Sequence, residues 1–322
     1  MKRVLALLLV CCAAVPPAFA QAKFPNRPVR VVVGFGPGSA ADIIGRILTT
    51  RLQESMPAGV IVDAKTGAAG LVATQEVARA APDGYAILLA AQSQISLPPN
   101  TNRNFPADLL KELMPIAEVA GTDLSFVVSA QHVPAATIPE YLRWAATLKP
   151  LFLGDFGAGS ITDLTAAFFA NINRLQYEPI HYKSAADIWT GLYGGDIRGI
   201  FLASGTVIPN ARAGKIRVLA TTGDVRSTLL PQVPTFKESG LPDLTIVSWF
   251  GVFAPARTPP EVAAALTTAF VGAARDPAVR ARLEDAGFRG TGTGPDEFAR
   301  MIQEDTARWG RVVKAIGFKA SD

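Results

Sequence analysis

The stretch Phe35-Gly36-Pro37-Gly38-Ser39-Ala40-Ala41-Asp42 returns later in the chain as Phe156-Gly157-Ala158-Gly159-Ser160-Ile161-Thr162-Asp163, one F-G-x-G-S-x-x-D pattern in each half. Each copy follows a short apolar run and precedes a segment of helical period, so each reads as a strand-to-helix turn. Glycine lets the backbone turn sharply and approach a ligand closely. Ser is placed to cap the helix that follows, and Asp three residues on completes a capping-box-like pair. Free backbone N–H groups at such a terminus, with the positive end of the helix dipole, hold an anion or carboxylate without any charged side chain. Two facing turns would clamp one ligand. Asp42 and Asp163 are read as structural caps, because a carboxylate pointing inward would repel an anion. The bland alternative is a pair of good helix starts. Recurrence in both halves favours the clamp, and the carboxyl edge of an open α/β sheet is where such folds bind.

Outward from the first turn, Val29 to Val33 reads as a strand, Asp42 to Leu52 as a helix and Val60 to Val62 as a second strand. The helix carries Ile43, Ile44, Ile47, Leu48 and Leu52 on one face, with Arg46 and Arg51 turned away. Val72 to Ala81 and Tyr85 to Ala91 continue the alternation, across the turn Pro82-Asp83-Gly84. Pro98 through Pro106 is expected as a surface loop, followed by strands at Ile116 to Val119 and Phe126 to Val128. A second alternating series follows: helices at Pro139 to Leu148, Leu164 to Asn171 and Ala185 to Tyr193, with strands at Leu151 to Gly154, Glu178 to Tyr182, Ile197 to Phe201 and Val218 to Thr221. Thr245 to Ala254 is long enough to cross between lobes. Helices opening on proline are expected at Pro259 to Ala274, Pro277 to Ala286 and Pro295 to Ile316. This alternation predicts an α/β protein with parallel strands and crossover helices.

Length and composition bound the organisation. Lys2 and Arg3, an apolar run from Val4 to Val15 and small residues at Ala18 and Ala20 form a secretory signal, with cleavage expected after Ala20. The run is too short for a retained anchor, and Pro16-Pro17 interrupts it. Both cysteines, Cys11 and Cys12, fall inside the signal, so the secreted chain is expected to have neither disulfides nor thiolate metal ligands. Lipidation there is the lesser reading, since Val10 and Cys11 are not the small residues that such processing favours. The remaining chain of roughly 300 residues suits two lobes, expected at residues 21–122 plus 247–322 and at 123–246. The formal net charge of +4 is not the concentrated basic footprint of a nucleic-acid binder.

Other chemistries find less support. Gly36-x-Gly38-x-x-Ala41 with Asp63 at the end of the next strand resembles a dinucleotide fingerprint, but the second copy has no role in that reading. His132 and His181 lack neighbouring carboxylates at metal-ligand spacing, so no metal site is expected. Ser160 lacks the second glycine of a nucleophile elbow, and no paired acid and base flanks the turns, so no catalytic residue is assigned. An exported enzyme using the same cleft is the alternative of a different class. Lys183 reads as a rim residue and Trp249 as packing at the lobe interface.

Several further motifs give the chain a family likeness: Pro28-Val29-Arg30, Gly67-Ala68-Ala69-Gly70, Ala81-Pro82-Asp83-Gly84-Tyr85, His181-Tyr182-Lys183, Ala213-Gly214-Lys215-Ile216-Arg217, Val233-Pro234-Thr235 and Trp249-Phe250-Gly251. With the two glycine turns, these resemble the Bug, or TctC-like, extracytoplasmic receptors of tripartite tricarboxylate transport systems. The resemblance implies a type II periplasmic-binding-protein-like fold: two α/β lobes joined by crossing strands, with a ligand cleft between them. It implies a periplasmic monomer without a cofactor that captures a small carboxylate for a membrane permease or for signalling. Carried onto this sequence, the ligand contacts would be Phe35, Gly36, Pro37, Gly38, Ser39 and Ala40; Gln92 and Ser93; Gly157, Ala158, Gly159, Ser160, Ile161 and Thr162; and Tyr182 and Leu202. Leu202-Ala203 stands where similar receptors often carry Asp-Asn. That departure, like Asp163 where His is frequent, points to an apolar acid rather than an amino acid or a citrate-like ligand.

Overall fold

The computed structural model describes residues 24–319 apart from Ala107 and Lys183. The expected signal and the reading of Lys183 lie outside the described residues. The first half runs β1 (Val29–Val33), α1 (Ala40–Ser55), β2 (Val60–Ala64), α2 (Leu71–Ala78), β3 (Ala86–Ala91), and two short helices, α3 (Gln92–Ile95) and α4 (Pro98–Thr101). After β4 (Leu113–Ser129) come α5 (Ile138–Ala145), β5 (Leu151–Asp155), α6 (Ile161–Ile172), β6 (Tyr177–His181), α7 (Ala185–Gly194), β7 (Ile200–Ala203), α8 (Ser204–Arg212) and β8 (Ile216–Thr221). The chain finishes with β9 (Val247–Pro255), α9 (Pro260–Arg275), α10 (Pro277–Asp285), β10 (Arg289–Thr293) and α11 (Pro295–Ala315).

Strand order is β2-β1-β3-β9-β4-β7-β5-β6, with β8 and β10 also paired to β4. At one end β1 runs parallel to β2 and β3, Val31 lying opposite both Val62 and Ile87. At the other, β5 runs parallel to β6 and β7. β4 joins the two: its first part pairs antiparallel with β9 and β10, and its second with β7 and β8. The expected strands at Ile116–Val119 and Phe126–Val128 are therefore one. Gly121, Thr122 and Asp123 carry no β-branched alternation that marks a strand, yet their backbone keeps the ladder, opposite Trp249, Ser248 and Val247.

α1 forms as its apolar spacing dictates, burying Ile44, Ile47, Leu48 and Leu52 against Val31, Leu89 and Phe270, while Ile43 is half-buried and Arg46 is solvated. The other end is organised by Phe126, Tyr141, Phe169, Phe201 and Phe236, whose contacting rings lie 4.8 to 6.3 Å apart. Such rings contribute burial and edge-to-face contacts together. Residues 247–319 divide between these cores. Phe250 and Phe270 belong to the first, whereas Trp309 and Val312 of α11 pack with the aromatic cluster. α11 is tied down midway, where Asp305 accepts from Gln92 Nε2 at 2.8 Å and from Trp249 Nε1 at 3.2 Å. Trp249 itself is buried against Phe253 and Phe298.

Three further corrections concern local structure. Pro98 to Thr101, expected as loop, is a helical turn whose prolines occupy positions where no N–H is needed. β10 escaped notice because Arg289-Gly290-Thr291-Gly292-Thr293 alternates glycine rather than apolar residues. α8 was hidden by Gly205 and Pro209, two residues that disfavour a helix in isolation.

Candidate functional site

The two glycine turns fold to the same local geometry. Ser39 (φ −68°, ψ 159°) and Ser160 (φ −67°, ψ 158°) are extended caps, and their hydroxyls accept from the amides of Asp42 and Asp163. Gly38 N–H donates to Asp42 Oδ2 at 2.9 Å, and Gly159 N–H donates to Asp163 Oδ2 at 2.8 Å. Gly38 (φ +81°) and Gly159 (φ +77°) occupy the left-handed region, where a side chain is strained. The aspartates are thus caps, as expected. The same bonds carry a correction: the amides of Gly38 and Gly159 are engaged by the protein and are not donors for a ligand. The first-turn amides of Ile161 and Thr162, which precede the first intrahelical bond from Leu164 N to Ser160 O, are among those left over.

The turns differ in what lies beneath them. Asp42 is held below the ordinary carboxylate range by its hydrogen bond with Arg46, one helical turn on. Beneath the second turn lies Asp155, fully buried at the end of β5. Its Oδ1 accepts from Gly157 N at 2.6 Å and meets His181 Nδ1 at 2.6 Å, while Oδ2 has no partner. Burial pushes the Asp155 carboxyl up, against the opposing pull of His181. Parallel pairing of β5 with β6 sets Asp155 opposite His181. The carboxylate neighbour that sequence spacing denied to His181 is therefore supplied by the fold. Asp155, Asp163 and His181 bring ligand-type atoms within 4.8 Å of one another. Asp155 Oδ1 and Asp163 Oδ2 are nonetheless engaged by Gly157 and Gly159, so the group serves as internal support for the turn.

A cavity of about 480 Å³ opens against the second turn. It is lined by the whole of Phe156 to Thr162, by Phe35, Ala68, Ala69 and Leu71, by Ser93 and Gln94 of α3, and by Leu97, Pro98, Thr101, Asn102 and Phe105. Gln94 is locked in place, its Oε1 accepting from Ala91 N and its Nε2 donating to Gly70 O. A Cβ on Gly34 or Gly70 would stand within 2.5 Å of that side chain, so both positions require glycine. Ala68 (φ +45°) and Ala69 (φ +53°) are held in the left-handed region on the cavity wall, a local strain of about 1–2 kcal/mol each that the surrounding packing overcomes.

Of the sequence-derived contacts, the cavity gathers Phe35, Ser93, Gly157, Ala158, Gly159, Ser160, Ile161 and Thr162. Gly36, Pro37, Gly38, Ser39 and Ala40 form the turn behind Phe35 without lining it. Gln92 is buried and bonded to Asp305. Tyr182 packs against the apolar cluster in which Leu202 is buried with Val127, Ile188 and Leu192. Neither Tyr182 nor Leu202 lines this cavity. Leu71, Leu97 and Phe105 were missed because nothing in a loop's composition tells which side chains a fold turns inward.

Residues 44–318 match the family described as Tripartite tricarboxylate transporter family receptor. A UPF0065 protein of Bordetella bronchiseptica is 31% identical over 319 residues, spanning 99% of this chain and 94% of that one. Among solved structures, the R. palustris protein Rpa4515 with adipate superposes with a TM-score of 0.81 at 26% identity, covering 92% of this chain and 100% of that one. The periplasmic binding protein BugD superposes with a TM-score of 0.78 at 25% identity, again over 92% and 100%. These matches bear out the α/β binding-protein architecture expected from the sequence.

Proposed function

Because the chain belongs to the tripartite tricarboxylate transporter receptor family, we propose that it is a periplasmic solute-binding protein that captures a small carboxylate between its two halves. The observation that carries this reading is a cavity lined both by the second glycine turn and by Phe35 of the first turn, residues that the sequence places in different halves. The ligand carboxylate sits at the amides of Ile161 and Thr162, in the favourable field of the α6 dipole. The Ser160 and Thr162 hydroxyls, 3.0 Å apart, stand beside them. Adipate in a structure of the same fold supports an acid as the ligand.

The role is capture without chemistry. Among the described lining residues there is no acid, base or metal-ligating cluster, which supports binding over catalysis. The protein acts as a monomer that hands its solute to a membrane permease of the tripartite type or reports it to a signalling partner. A thermal-shift screen of small acids tests the proposal. A ligand that prefers the folded, closed protein raises its unfolding midpoint by mass action. If aliphatic, aromatic and dicarboxylic acids all leave the midpoint unmoved at millimolar concentration, the reading fails.

A further inference from the structure

Resting on that carboxylate reading, we infer that the cavity selects acids with a single carboxylate on an apolar, ring-bearing body and discriminates against dicarboxylates. The lining has a sharp chemical bias. No Lys, Arg, His, Asp or Glu is among its described residues, whereas Phe35, Leu71, Leu97, Phe105, Phe156 and Ile161 all contribute apolar surface. A second ionised carboxylate would leave water for this surface without a counter-charge, which is strongly unfavourable. Its hydrogen-bonding prospects are also poor. Gln94 is already engaged by Ala91 and Gly70, which leaves neutral groups such as Ser93 and Asn102.

The phenylalanines add a second, independent observation. Many aromatic rings elsewhere in the protein pair with one another, Phe126 with four neighbours, Trp249 with Phe253 and Phe298, Phe250 with Phe288, although Phe270 and Trp309 are among those that form no ring pair and are buried in a core instead. Phe35, Phe105 and Phe156 share in none of the ring pairs among the described residues. Phe156 is 42% exposed at the tip of the turn, one of four large apolar side chains so exposed among the described residues. Exposing such a ring forgoes its burial, and a ligand ring laid against it recovers that burial together with a stacking contact. Phe35 and Phe156 occupy the same position in the two turns and both line the cavity, so a ligand ring held there has aromatic surface available from each turn.

Isothermal titration of the purified protein with benzoate, phenylacetate, adipate, succinate and the uncharged benzamide tests this. The aromatic monocarboxylates are expected to bind at least tenfold more tightly than either dicarboxylate, and benzamide at least tenfold more weakly than benzoate. The Phe156→Ala protein, altered at an exposed position, should lose about tenfold in benzoate affinity with little change for adipate. Adipate or succinate binding as tightly as benzoate would overturn the selectivity while leaving carboxylate capture intact. Benzamide matching benzoate, or no acid binding at all, would overturn the carboxylate reading and this inference with it.

Discussion

The amide of Gly159 donates to Asp163 Oδ2 at 2.8 Å, and the hydroxyl of Ser160 accepts from the amide of Asp163 in return. This reciprocal closure shapes the turn on which the proposed ligand sits. Ser160→Ala should lower unfolding free energy by about 1 kcal/mol, the usual loss of a helix cap, and Ser39→Ala by a similar amount. Urea denaturation followed by circular dichroism measures both. Because Ser160 lines the cavity and Ser39 does not, Ser160→Ala should also weaken ligand binding, whereas Ser39→Ala should leave it nearly unchanged.

Left-handed glycines allow a matched comparison. Gly159 (φ +77°), Gly38 (φ +81°) and Gly240 (φ +87°) each impose the same backbone strain on an added side chain, about 1–2 kcal/mol. At Gly38 and Gly240 the new Cβ meets open space, while at Gly159 it approaches the Phe318 ring at 3.3 Å and Thr101 at 3.5 Å. Gly159→Ala is therefore expected to be the most destabilising of the three and to abolish the ligand-induced thermal shift. Gly240→Ala should keep the full shift; equal shifts in both proteins would separate the second turn from binding.

Asp155 makes stability depend on pH in a definite direction. Its carboxyl is raised in the folded protein, first by burial, so the native state holds its proton more tightly than the unfolded chain. That contribution is fully present below the ordinary carboxyl value of 3.8 and is lost as pH rises through the raised native value. Asp155→Asn keeps an acceptor for Gly157 but does not ionise. Its stability relative to the unaltered protein should rise steadily from pH 3.5 towards neutrality, as read from urea midpoints. A flat difference over that range would show that the buried carboxylate carries no such penalty.

Asp305 secures α11 to the start of α3 and to β9 through Gln92 and Trp249. Asp305→Ala removes the acceptor from both donors and should cost about 3 kcal/mol, since a buried donor without a partner forfeits its hydration. Asp305→Asn retains an acceptor and should cost about half as much. Both values come from chemical denaturation monitored by Trp fluorescence.

Close backbone contact between α8 and the turn after α10 makes a further expectation. A Cβ on Gly205 would lie 2.3 Å from Gly287 Cα, and backbone yields less readily than a flexible side chain. Gly205→Ala should destabilise the fold by about 1–3 kcal/mol through overpacking. The same urea titration detects it, and a change within about 0.3 kcal/mol would mean the two segments separate freely.

The amino-acid sequence by itself determined the elements that rest on local chemistry. α1 follows from the spacing of Ile44, Ile47, Leu48 and Leu52, and the two turns follow from glycine, a capping Ser and an Asp three residues on. Period and capping act within a few residues of themselves, so a linear reading captures them. What only the tertiary structure decided depends on which distant segments meet. β4 is continuous because β9 pairs along Gly121 to Asp123. His181 gained Asp155 because β5 and β6 run in parallel register, and the amides of Gly38 and Gly159 proved occupied once the cap aspartates folded back on them. The cavity wall likewise took Leu71, Leu97 and Phe105 and left out Leu202, because long-range packing sets which side chains turn inward and local pattern does not encode it.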